Sequence, residues 1–233
     1  NVRVRHETQW ISVDPATNPS VDFLRALQAA LMPQGALQGT VFRYHNHENT
    51  VLRGLRQLIA NRNDADRQKL LNFIDLVTKP SDAEAKQGVQ AGPKAMVDLH
   101  RLVQEGYYSK VAGGSISLKY ILPAILNDAP GVARYFSQPG LFGGPAITSK
   151  NFTQQDAHVW LQAAHDNNPY KTLPPIFSGE RASLNEMLSR LAGEDGEEAA
   201  INQGGLAMTA WNFTQFADIS AEERTAIRDA LLR

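Results

Sequence analysis

The segment Tyr44-His45-Asn46-His47-Glu48-Asn49 concentrates side chains able to do chemistry: a phenol, two imidazoles, two amides and a carboxylate in consecutive positions. It follows Gly39-Thr40-Val41-Phe42-Arg43, which reads as a short strand with Val41 and Phe42 buried, and it precedes apolar residues at helical spacing. Ligand sites in open α/β sheets favour the carboxyl ends of strands, and a helix dipole favours an acid in the first turn. Glu48 therefore has two readings, a helix-start acid or a catalytic, metal-binding carboxylate, and position alone favours the first. His45 and His47 would share one strand face, a spacing that zinc can use, but no third ligand lies nearby in sequence. His6, His100, His158 and His165 form no motif.

Other chemistries lack their signatures. Gly113-Gly114 followed by Ser115 to Lys119 does not have the spacing of a phosphate-cradling loop, and no His-Glu-x-x-His occurs. No Gly-x-Ser-x-Gly elbow is present.

The elements needed to position these groups follow from periodicity. Residues 2–13 alternate as an extended strand, with His6 a point where it could break. A helix is predicted from a Ser20 cap to Met32, burying Phe23, Leu24, Leu27 and Leu31. Further helices are predicted at 48–60 (Val51, Leu52, Leu55, Leu58, Ile59) and 65–77 (Leu70, Leu71, Ile74), with a mobile loop over 78–94. Met96 to Gln104 starts a structured, mainly helical piece, and Ser115–Lys119 leads into another with Ile121, Leu122, Ile125 and Leu126. Residues 127–150 and 167–182 are rich in Gly and Pro, with a helix expected between them from Thr153 to Ala164. Ser183 with Glu186 and Ser220 with Glu223 read as capping boxes, Leu206–Phe216 as a helix and 193–205 as an acidic loop. The pattern predicts a small sheet with many helices around it, in one domain with a core over 1–126 and 204–233 and a loop-rich insertion over 127–203.

Composition sets the outer bounds. The chain has 233 residues, 42% hydrophobic and 20% charged, which is ordinary for a globular protein. The net charge of −1 gives no global basic signature for nucleic acid. With no cysteine, disulfides and thiolate metal sites are excluded. No apolar run approaches the roughly 20 residues needed to cross a bilayer, and the first residues carry no signal-peptide pattern, so a cytoplasmic protein without a membrane role is expected.

Several stretches together carry a resemblance. Thr40 to Glu48 resembles the second motif of DEDD-type 3′–5′ exonucleases, where a strand delivers an Asn-containing turn and then an acid on the next helix. Val97-Asp98-Leu99, Tyr107-Tyr108, Gly114 to Lys119 with Leu122-Pro123-Ala124, Asn168-Pro169-Tyr170-Lys171 with Leu173-Pro174-Pro175, Gly204 to Ala210 and the helix after Ser220 follow in order. The set is similar to an uncharacterised bacterial domain family with a predicted ribonuclease H-like fold. The resemblance implies an α/β fold with a mixed sheet, and a metal-dependent nuclease in which carboxylates hold two Mg²⁺ or Mn²⁺ ions. Glu48 corresponds to the second-motif acid and metal ligand. Asp98 matches a recurring acid of lesser, substrate-side role. Tyr44 and Asn46 would meet single-stranded nucleic acid and Lys119 a phosphate, with Tyr107 and Tyr108 able to stack on bases. Packing is the better use of each tyrosine, and a solvated helix start an equal use of Lys119.

This chain departs from the family in two places. The first-motif acids would precede residue 1 and the last acid would follow Arg233. The expectation is an incomplete domain, inactive as a nuclease by itself, whose sheet a second copy could complete. The alternative from another class is a non-catalytic module of the same fold that binds nucleic acid or protein.

Overall fold

The computed structural model describes residues 3–173, 175–177, 179–191 and 204–232. In chain order the elements are β1 (Val4–Arg5), α1 (Ser20–Leu31), β2 (Phe42–Arg43), α2 (His47–Ala60), α3 (Arg67–Val77), α4 (Asp82–Lys86), β3 (Val97–Asp98), α5 (Leu99–Gly106), α6 (Leu118–Asp128), α7 (Pro130–Phe136), β4 (Ile147–Thr148), α8 (Ser183–Leu191), α9 (Gly204–Phe216) and α10 (Ala221–Leu231). Short 3-10 turns occupy Gln154–Asp156, Ala163–His165, Pro169–Thr172 and Gly179–Arg181. The class is α/β. In place of one mixed sheet, the described residues form two separate two-stranded parallel ladders, β1 with β4 and β2 with β3. The chain divides into two compact units, one of residues 19–124 and one made of 1–18 with 125–233.

The 19–124 unit is built on β2-α2-α3-α4-β3, a parallel crossover in which helices return the chain to lay β3 beside β2. Its core joins Val21 and Leu24 of α1, Leu52 and Ile59 of α2, and Leu70, Phe73, Ile74 and Val77 of α3, with Leu37 and Met96. The three- and four-residue intervals put each set on one helical face. In α2 this face is centred on Leu52, Leu55 and Ile59, so Val51 and Leu58, expected inside, stand 40% and 37% exposed. Ser20, expected as the cap of α1, is its first residue and Pro19 precedes it. Residues 78–94 are more ordered than expected, because Ser81 and Glu84 form a capping box that starts α4.

Polar clips fix how α2 meets the chain after α3. The buried Asn49 amide donates to the Lys79 carbonyl (3.0 Å) and accepts the Lys79 N–H (2.8 Å). Arg53 bridges Asp75 (3.0 Å) and Glu84, and Arg56 meets both oxygens of Asp75 at 2.7 and 2.9 Å. The Ser81 N–H, the Arg53 guanidinium and the Ser81 hydroxyl together hold the Glu84 carboxyl down at about 2.

The unit formed by the chain ends has its own core, with Ile176, Phe177, Leu188 of α8, Leu206 and Ala210 of α9 and Ile227 of α10. The expected strand over 2–13 pairs only at Val4–Arg5. Beyond it, side chains replace the ladder: Trp211 Nε1 donates to the Ser12 carbonyl (2.8 Å) and Arg224 reaches the Val13 carbonyl (3.4 Å). The expected helix over 153–164 is also absent. Thr153 and Asp156 form a capping box, but Ala157 turns left-handed (φ 46°) and stops the coil after one 3-10 turn. The 127–150 stretch contains an unforeseen helix, α7, with Pro130 in its first turn, where proline's fixed φ suits a helix start. Ser183 lies inside α8 rather than ahead of it, whereas the Ser220–Glu223 box caps α10 as expected. The loop expected at 193–205 falls outside the described residues up to Gln203, and Gly204-Gly205 begins α9.

Glu84 gives a pH signature. A carboxyl held low in the folded state stabilises fully above its ordinary value of 4.5 and loses that contribution as pH falls toward about 2. Glu84→Gln is expected to flatten the acid limb of stability in that window, followed by circular dichroism in urea. An unchanged acid limb would show that the Ser81 and Arg53 contacts to Glu84 are not held in solution.

Candidate functional site

The carboxyl ends of β2 and β3 lie side by side, with Phe42 opposite Val97 and Arg43 opposite Asp98. The Val97 N–H donates to the Val41 carbonyl at 2.9 Å. Phe42, expected to be buried, is 58% exposed, and the buried member of β2 is Arg43, at 8%. Strand alternation explains the exchange, since successive side chains take opposite faces: Arg43 points inward because Asp98 is there to receive it.

Asp98 organises everything around it. Its Oδ2 lies 3.3 Å from Arg43 Nη1, and its Oδ1 accepts the His45 N–H (2.9 Å) and the His100 N–H (3.1 Å), the latter capping α5. Burial pushes this carboxyl up, but the His45 N–H, the Arg43 charge and the His100 N–H outweigh it and hold it below the usual aspartate range. Arg43 also donates to the His45 carbonyl, while its Nε has no hydrogen-bond partner among the described residues. The guanidinium thus depends on Asp98 for its only ion pair among the described residues.

This arrangement shapes the Tyr44–Glu48 segment. His45 is left-handed (φ 70°), an uncommon state for a residue other than glycine. Arg43 grips its carbonyl and Asp98 its N–H, which explains how the strain is held. The turn carries the His45 ring to the His100 ring, with centroids 4.6 Å apart and planes at 76°, and Tyr44 meets the same His100 edge-on at 5.4 Å. The Tyr44 hydroxyl donates to the Ile116 carbonyl, bringing the 115–117 turn onto the site.

The predicted residues divide accordingly. Tyr44, His45 and Asp98 come together, and His100 joins them. Glu48 stands exposed in the first turn of α2. Asn46 spends its amide on Thr50 Oγ1 (3.2 Å), stapling the start of α2. Lys119 is exposed in the first turn of α6, its Nζ 5.5 Å from the centre of the Tyr120 ring. His45 and His47 do not share a strand face, because β2 ends at Arg43 and His47 begins α2. His100, which belongs to no motif, is the member that sequence spacing missed. Its only signal was its place two residues after Asp98.

Among the described residues, no group of three or more His, Asp or Glu side chains could hold a metal ion. Asp98, with one oxygen against a guanidinium and the other accepting two amides, is a poor donor for a hard cation. The donor set found here does not fit a two-cation centre.

A concavity lies in the unit formed by the chain ends. It measures about 270 Å³ and is walled by Phe142, Phe152, His158 and Trp160 against the β1–β4 edge. The clustering of aromatic residues between 135 and 160 was its sequence signal, obscured by the Gly and Pro around it.

No protein-family model, curated protein or solved structure matches this chain.

Removing the Asp98 carboxylate leaves Arg43 buried and unpaired and uncaps α5. Asp98→Ala is expected to cost about 3–5 kcal/mol in denaturant unfolding, and Asp98→Asn less, since the amide oxygen can still cap. A loss below about 1 kcal/mol, the scale of an exposed ion pair, would remove Asp98 from the centre of the site.

Proposed function

We propose that this chain is a nuclease-derived module of ribonuclease H-like ancestry that binds single-stranded nucleic acid without cleaving it at the Asp98 site. The observation that carries this reading is the engagement of Asp98: its carboxylate serves Arg43, His45 and His100. At the carboxyl ends of the two parallel strands the site presents rings, the exposed His45 beside the half-buried His100 and Tyr44. Bases of any sequence stack on such rings. Lys119 lies in the first turn of α6, just beyond Ile116, whose carbonyl holds Tyr44, and it supplies a cation for a phosphate. The ordered motifs from Thr40 to Glu48 and downstream support the ancestry, as does the parallel β2-helix-β3 crossover. The net charge of −1 fits a local contact better than a long electrostatic track.

Few phosphates are neutralised on this reading, so salt dependence is shallow. With one or two phosphate contacts, log K against log salt has a slope of about −0.7 to −1.4. Anisotropy with labelled single-stranded DNA and RNA is expected to show binding of that slope, weakened about three- to tenfold by His45→Ala and made shallower by Lys119→Ala. Oligonucleotide length is expected to stay constant with Mg²⁺ or Mn²⁺. Cation-dependent shortening that disappears in Glu48→Ala would establish the hydrolytic reading instead, and no binding of either polymer would leave a protein partner as the ligand of this face.

A further inference from the structure

We propose that the aromatic cavity of the chain-end unit is a binding site for an uncharged, planar heteroaromatic ring that carries hydrogen-bond acceptors. This goes beyond the nucleic-acid reading and uses different residues. The cavity holds about 270 Å³, near the lower end for ligand sites and suited to a molecule of one or two fused rings. Flat surfaces meet there. Phe152 and His158 stack as parallel plates, with centroids 3.8 Å apart and planes at 3°. Phe142 leans on Trp160 at 5.4 Å and meets His158 edge-on at 6.4 Å. A planar guest offers the largest contact with such walls.

The walls are held in advance of any guest. Gly143 is left-handed (φ 86°) and packs so tightly that a Cβ there would lie 2.4 Å from the Phe152 carbonyl oxygen. Its N–H donates to the Ile147 carbonyl (2.9 Å), and the Gly140 N–H to the His158 carbonyl (3.2 Å). The turn bearing Phe142 is thereby clamped to the segment bearing Phe152 and His158.

The polar lining states what the guest must bring. Asn151 is already used: its Oδ1 accepts from Gln9 at 2.5 Å and its Nδ2 donates to the Leu232 carbonyl at 3.0 Å. The Thr172 hydroxyl donates to the Pro169 carbonyl (2.8 Å), and Arg5 pairs with Glu7 (3.3 Å). His6 Nδ1 accepts the Lys150 N–H (3.3 Å), which leaves its proton on Nε2 as a donor. Ser149 Oγ accepts the Asn151 and Phe152 N–H groups (3.1 and 3.2 Å), leaving its own proton to give. The protons left on His6 and Ser149 make these two side chains donors, and an acceptor-bearing ring satisfies them. Burial holds His158 below its usual range, with Asp156 opposing, which keeps that wall uncharged.

Calorimetric titration at pH 8 with isoquinoline (acceptor), indole (donor) and cyclohexanol (not planar) tests the assignment. Isoquinoline is expected to bind saturably and about fivefold tighter than indole, the worth of one hydrogen bond, with cyclohexanol weaker than both. Val4 lines the cavity from an exposed position on β1, so Val4→Trp fills it without opening the core and is expected to lower isoquinoline affinity by at least about tenfold. His6→Phe keeps the ring, removes the donor, and is expected to erase the preference for isoquinoline over indole. The proposal is overturned if isoquinoline does not saturate, if Val4→Trp leaves its affinity unchanged, if indole or cyclohexanol binds as well, or if the preference survives His6→Phe.

Discussion

A guanidinium buried in a two-strand ladder must find an anion, and Asp98 is the anion that Arg43 finds. The pair sits in register across β2 and β3, so the contact that neutralises the charge also aligns the strands. The same carboxylate starts α5 through the His100 N–H and fixes the left-handed turn at His45. Strand pairing, helix start and turn geometry thus converge on one side chain. A buried ion pair gives little net stability by itself, and its value here lies in the specificity it imposes on the segments around it. The cost falls on function: an aspartate committed to a guanidinium and two amides has little left for a metal ion.

The two units of the chain use related devices. In each, a buried asparagine amide both donates to and accepts from the backbone of a connecting segment, Asn49 at Lys79 and Asn185 at Phe177. Such amides satisfy backbone groups that a short ladder leaves open, as buried polar groups require. Strands of only two residues suffice because helices bury most of the apolar surface and side chains tie the extended segments down.

The helices of the 19–124 unit were legible in the sequence, because Leu52, Leu70, Ile74 and their neighbours repeat at helical spacing. Details failed where a polar residue took an inward position. Arg43 displaced Phe42 from the interior, and the face of α2 turned away from Val51 and Leu58. Nothing in a single sequence marks an arginine as buried until its partner is known, and Asp98 lies far along the chain. The site was half legible for the same reason. Glu48 and the histidine pair drew attention by local spacing, whereas His45 and His100 met only through the parallel crossover. The region from 127 to 182 was least legible, since left-handed residues such as Ala157 and Asp166 end turns that periodicity would extend.

Carboxyl-carbon NMR reads the state of the Asp98 carboxylate directly. With the Asp98 resonance assigned by substitution, pH titration in the presence and absence of Mg²⁺ reports both its protonation and its ligands. The expected result is a midpoint below the ordinary aspartate value of 3.8 and a resonance indifferent to Mg²⁺. A midpoint at or above that value, together with a saturable shift on adding Mg²⁺, would contradict it.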